Sequence, residues 1–147
     1  MTSLSKLRLT AMAAAVCMTV MACTSTTAPT DADSGITPLV FVTETFAGTL
    51  QVNGSNFYSF TVTQAGPAGL TLAAVQTPGG AALSTSLGIG VGIPSGTGCA
   101  RSSSQTAPPG LAAQLTVTLN PGIYCAAVFD TGNVSSAVNF AMRIKHP

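Results

Sequence analysis

The sequence predicts an all-β fold: an antiparallel, jelly-roll-like β-sandwich of seven or eight short strands. Three observations carry this. Apolar residues recur with period two from Ile36 onward, as in Tyr58-Ser59-Phe60-Thr61-Val62 and Leu115-Thr116-Val117-Thr118-Leu119. No sustained apolar stripe at helical spacing follows residue 36. Turn chemistry interrupts the pattern at short intervals, at Asn53-Gly54, Gly66-Pro67, Pro78-Gly79-Gly80, Pro94-Ser95-Gly96, Pro108-Pro109-Gly110, Asn120-Pro121-Gly122 and Asp130-Thr131-Gly132-Asn133. Many short strands between frequent turns build a sandwich or a barrel. The alternating polar positions favour the sandwich, whose two sheets each keep one wet face.

The N-terminal segment stands apart from this pattern. Lys6 and Arg8 precede a largely apolar run from Leu9 to Met21, too short to cross a bilayer as a stable helix. Residues 1–22 therefore read as a secretory signal peptide. Val20-Met21-Ala22-Cys23 resembles a bacterial lipobox, with small Ala22 before the cut and Cys23 as the acylated new N-terminus. Plain secretion with a free Cys23 is the alternative. Residues 23–35 form a polar tether, TSTTAPTDADSG after the cysteine, without an apolar side chain large enough to offset chain entropy. Asp31 and Asp33 there read as solubilising charges. Residues 36–147 are the folded domain, with no second apolar run long enough to span a membrane. Membrane attachment is thus expected only through the N-terminal lipid, with the domain in the cell envelope, outer-membrane-anchored or at the surface; a periplasmic or secreted protein is the alternative.

Composition excludes some functions. Only 6% of residues are charged, with five Lys plus Arg against four Asp plus Glu. So few cations make no phosphate-binding surface, and nucleic acid is not an expected partner. High hydrophobic content and low charge also exclude intrinsic disorder of the domain.

Strands are expected over 38–43, 45–52, 56–64, 69–76, 86–93, 112–119, 122–130 and 137–145. The succession Glu44-Thr45-Phe46-Ala47-Gly48-Thr49-Leu50, Asn56-Phe57-Tyr58-Ser59-Phe60-Thr61-Val62, Leu119-Asn120-Pro121-Gly122-Ile123-Tyr124-Cys125-Ala126-Ala127-Val128 and a last strand from Val138 to Lys145 resembles the bacterial pre-peptidase C-terminal domains and their stand-alone lipoprotein relatives. The resemblance spans about residues 40 to 146. It implies a sandwich fold and an accessory role beside or without an enzyme. The chain departs from the usual setting in carrying no peptidase domain, and lacks the acidic cluster with which some relatives bind calcium.

Cys17 falls in the signal and Cys23 at the cut, which leaves Cys99 and Cys125. In an oxidising compartment such a pair tends to close, so a structural disulfide is expected. A metal pair would need further ligands, and the one histidine, His146, sits at a chain end expected to fray. Neither a metal nor any cofactor is expected.

Catalytic constellations are sparse, and the domain is read as non-enzymatic. Serines lack a base. Glu44 and Asp130 are the only carboxylates in the domain; Asp130 reads as a turn cap and Glu44 as a solvated strand-edge charge. Asn53-Gly54-Ser55 and Asn133-Val134-Ser135 match glycosylation sequons but read as turns. The expected function is a non-catalytic envelope module that binds a protein or supports another component, with a carbohydrate-binding module as the alternative and a hydrolase a distant third. For a glycan site, Trp is absent. Tyr58, Phe60 and Phe140 follow the core parity, Tyr124 packs behind its hairpin, and Phe57 and Phe129 have the outward parity. The candidate partner-binding strand is Leu87-Gly88-Ile89-Gly90-Val91-Gly92-Ile93. Its four branched side chains should enter the core. Gly88, Gly90 and Gly92 should then leave a bare trough in which a partner polypeptide can approach the backbone.

Overall fold

The structure, a computed structural model, describes residues 38–147. Eight strands follow one another: β1 (Val42–Leu50), β2 (Ser55–Val62), β3 (Gly66–Gln76), β4 (Leu87–Ser95), β5 (Gly98–Ala107), β6 (Leu115–Leu119), β7 (Gly122–Phe129) and β8 (Val138–His146). They form two four-stranded sheets, β1-β8-β3-β6 and β2-β7-β4-β5, with every pairing antiparallel. First pairs with last, second with seventh, third with sixth and fourth with fifth. This is one long antiparallel ribbon wound into two facing sheets, the jelly-roll arrangement.

The period-two pattern is what fills the space between the sheets. Leu50, Leu70, Leu72, Met142 and Ile144 from the first sheet meet Phe60, Val62, Leu87, Ile89, Val91 and Val128 from the second, all buried. Every strand but β5 thereby hides one face, which is the hydrophobic driving force for closing the ribbon into a sandwich.

Two of the expected strands are drawn differently. Residues 38–43 and 45–52 do not form a pair of strands; one strand, β1, runs through Thr43-Glu44-Thr45, because no turn residue stands there and the whole stretch pairs with β8. The other difference is β5, which lies where no strand was expected. Its sequence, GCARSSSQTA, is polar on both parities, and only Ala107 at its end is buried. As an edge strand covered on one side by β4, it is held by ladder hydrogen bonds and the hairpin at Gly96, where φ is +56°. The strand expected over 112–119 shortens to Leu115–Leu119.

Both ends of the sandwich are tied by side chains. At one end the Asp130 carboxylate accepts hydrogen bonds from the backbone N–H groups of Gly132, Asn133 and Val134 through Oδ1, and from Asn53 through Oδ2, at 2.8–3.2 Å. It caps its own turn, as the sequence suggests, and also pins the β1–β2 loop, where Asn53 adopts φ 56°. At the other end the chain terminus does not fray. His146 completes the β8 ladder opposite Val42, Pro147 is fully buried, and the Pro147 carbonyl accepts from the Thr63 N–H at 3.2 Å.

Candidate functional site

The glycine strand differs from its expected form. β4 is a central strand between β7 and β5, and Leu87, Ile89 and Val91 enter the core. Ile93 does not: it lies beyond the last β7 partner of β4, past a bulge at Ser102 of β5, and is 62% exposed. The opposite face is not a bare trough either, since Gly88, Gly90 and Gly92 are all buried. The Phe129 ring lies where a Gly88 side chain would stand, and the Ala100 carbonyl lies where one at Gly92 would stand. A Cβ on Gly90 would come within 2.9 Å of the Arg101 side chain and 3.0 Å of the Ser103 carbonyl. The Arg101 guanidinium sits 3.9 Å above the centroid of the same Phe129 ring. The chain's own β5 and β7 thus occupy the space that these glycines open.

The disulfide belongs to the same face. Cys99 of β5 and Cys125 of β7 are bonded, with S–S 2.01 Å and Cα–Cα 5.8 Å. Cys125 pairs with Gly92 across the β4–β7 ladder, so the bond crosses β4 beside the glycine that lets the β5 backbone fold close. Glycines and cysteines serve one purpose here: they bring a polar edge strand over a central strand and hold it there.

Glu44 stands on an edge strand, as expected, and its side chain is 27% exposed, but its carboxylate is engaged within the fold. Its side chain faces the interior of β1, where Tyr58 Oη donates to Oε2 at 2.5 Å and His146 Nε2 lies 2.9 Å from Oε1. His146 is 3% exposed, stacks on Phe60 with centroids 5.0 Å apart, and places Nδ1 3.3 Å from the Pro147 carbonyl. The two hydrogen bonds, that from Tyr58 foremost, hold the Glu44 carboxyl below its usual range, and the same bond raises the Tyr58 phenol. Three residues from β1, β2 and β8 therefore form a polar bridge between the two sheets. A histidine beside a carboxylate is also the geometry of a general base and its orienting group. Here the ring is enclosed between Phe60 and the chain end, and among the described residues no serine or cysteine hydrogen-bonds to it.

Asp130 is equally committed. The Asn53 N–H, followed by those of Gly132, Val134 and Asn133, holds its carboxyl below the usual range. The described residues contain no group of three or more His, Cys, Asp or Glu side chains spaced for a metal.

The aromatic candidates separate. Tyr58, Phe60, Tyr124 and Phe140 pack on or within the core. Phe129 is covered by Arg101, which leaves Phe57, 36% exposed, as the uncovered outward-parity ring. A lone ring is a poor platform for stacking a sugar.

Alternation along β8 left one feature unremarked. Arg143 and Lys145, two residues apart, both stand exposed on the outer face of the first sheet. They line a shallow cavity of about 270 Å³ with Thr43, Thr71 and Leu111, and Lys145 Nζ lies 4.9 Å from the Phe41 ring centroid. A second hollow on that sheet, of about 470 Å³ around Ala47, Ala74 and Ala141, carries only neutral groups, and its Thr49 and Asn139 hydrogen-bond each other at 2.8 Å. The signal for the cationic pair was present in the sequence as matching parity.

Cys23, Asp31 and Asp33, with the signal and the whole tether, lie outside the described residues. No protein-family model matches the chain, and no curated protein matches it.

Proposed function

We propose that this chain is an exported, lipid-anchored β-sandwich module of a bacterial cell envelope, acting as a structural or protein-interaction component and not as a catalyst. The observation that carries the reading is the closed Cys99–Cys125 bond. A disulfide across a sheet face belongs with an oxidising compartment, and so with the targeting segment at residues 1–22. The commitment of Glu44, Asp130 and His146 to ties within the fold supports a scaffold role. The jelly-roll order of the strands suits the resemblance to stand-alone pre-peptidase C-terminal domains.

Metabolic labelling with a fatty-acid analogue in a bacterial host tests the anchor. Wild-type protein takes up label and fractionates with membranes; Cys23→Ser protein takes up none. Equal labelling of the two would refute acylation at Cys23. An envelope pull-down beside a glycan array then separates the protein-interaction role from sugar binding.

A further inference from the structure

We infer that the outer face of the β1-β8-β3-β6 sheet is a docking surface for an anionic lipid bilayer, through Arg143, Lys145 and the apolar side chains beside them. The inference does not depend on acylation of Cys23, and it departs from the sequence-based expectation that the membrane is met through the N-terminal lipid alone. The described residues hold three cations besides His146: Arg101, Arg143 and Lys145. Arg101 belongs to β5 of the other sheet, where it lies over the Phe129 ring, away from this face. The described carboxylates, Glu44 and Asp130, are both engaged elsewhere, one between the sheets and one by four backbone N–H groups. Among the described residues, neither Arg143 nor Lys145 takes part in a salt bridge.

The apolar content of the same region is equally uncompensated. Leu111 is 91% exposed at the rim of the cavity, and Phe41, 40% exposed, lies against Lys145. Large apolar side chains next to unpaired cations match the headgroup–acyl boundary of a membrane, where the cations meet lipid phosphates and the apolar groups leave water. An enclosed small molecule fits less well. The cavity is open and falls below the roughly 300–1,000 Å³ typical of small-ligand sites.

The test uses the chain from residue 24 onward, without the signal segment and Cys23, so that neither an acyl group nor the apolar signal contributes. Its partition is measured onto vesicles of phosphatidylcholine mixed with phosphatidylglycerol, and onto vesicles of phosphatidylcholine alone. Binding is expected only to the anionic vesicles, falling as salt rises. Arg143→Gln with Lys145→Gln should weaken it by about tenfold or more, and Leu111→Ser should weaken it independently. All three positions are exposed, and an unchanged thermal midpoint shows that the variants remain folded. Absence of binding, equal binding to both vesicle types, or wild-type affinity in the double variant would overturn the inference. So would displacement of the protein from vesicles by millimolar glycerol phosphate, which would mark the cation pair as a site for a soluble anion.

Discussion

Gly88, Gly90 and Gly92 look equivalent in the sequence, yet they face three different obstacles. At Gly92 a side chain would meet the backbone of Ala100, which cannot move without unseating β5. At Gly88 it would meet the Phe129 ring, and displacing that ring also breaks its contact with Arg101. At Gly90 the nearest atom belongs to the flexible Arg101 side chain, with the Ser103 carbonyl just behind. Alanine at each position should therefore destabilise by overpacking, by about 1–3 kcal/mol in the usual range. Gly88→Ala and Gly92→Ala should fall at the upper end or beyond it, and Gly90→Ala lowest. Urea denaturation of the three variants checks the ranking. A Gly92→Ala protein as stable as wild type would show that β5 does not lie over β4 as described.

The ionisable residues give a pH dependence with a worked sign. Glu44 and Asp130 have lowered carboxyl pKa values, so in the folded state they release their protons more readily than in the unfolded chain. The stability they contribute is complete above the ordinary carboxylate range and is lost as pH falls through their lowered values. Tyr58 is raised, so its contribution is complete below the ordinary phenol range and fades as pH rises through the raised value. The thermal midpoint should show a neutral plateau that falls on both sides. Glu44→Gln should reduce the acid-side fall and remove the Tyr58 part of the alkaline one. An unaltered midpoint-against-pH curve in that variant would contradict the bridge between the sheets.

Among the elements, β5 and its disulfide show where the sequence was legible and where it was not. Strands that bury one face announce themselves through alternation, and β2, β3, β7 and β8 lie close to where Tyr58, Leu70, Val128 and Phe140 put them. β5 buries almost nothing, so hydrophobic pattern carried no trace of it. Its place is fixed by ladder pairing to β4 and by a covalent bond, which are contacts between residues that alternation does not record. The same gap explains the candidate sites. Cys99 and Cys125 were legible by elimination. Glu44, Tyr58 and His146 were not, because a 102-residue separation between Glu44 and His146 is closed only by the β1–β8 pairing. Asp130 was legible as a turn cap, whereas its hold on Asn53 depends on two loops meeting at one end of the sandwich. Cysteine replacement gives the matching prediction. Cys99→Ser with Cys125→Ser should lower stability by roughly 2–5 kcal/mol and raise amide hydrogen exchange first along β5, with β8 and β3 least affected. Uniform loss of protection across both sheets would mean that the bond supports the whole fold and not this edge.

For the whole molecule, a ribbon wound into two sheets leaves two outer faces, and they are unlike. The β2-β7-β4-β5 face is closed by Phe129, Arg101 and the disulfide, while the opposite face presents Arg143, Lys145 and Leu111 to its surroundings. The central claim is that the chain is exported, processed at Cys23 and oxidised. Its most direct measurement is the intact mass of the protein isolated from the bacterial envelope without reductant. The account predicts a chain beginning at Cys23, heavier by its acyl groups and lighter by two hydrogens than the reduced form. A mass that retains residues 1–22, or one unchanged by reduction of the cysteines, would contradict it.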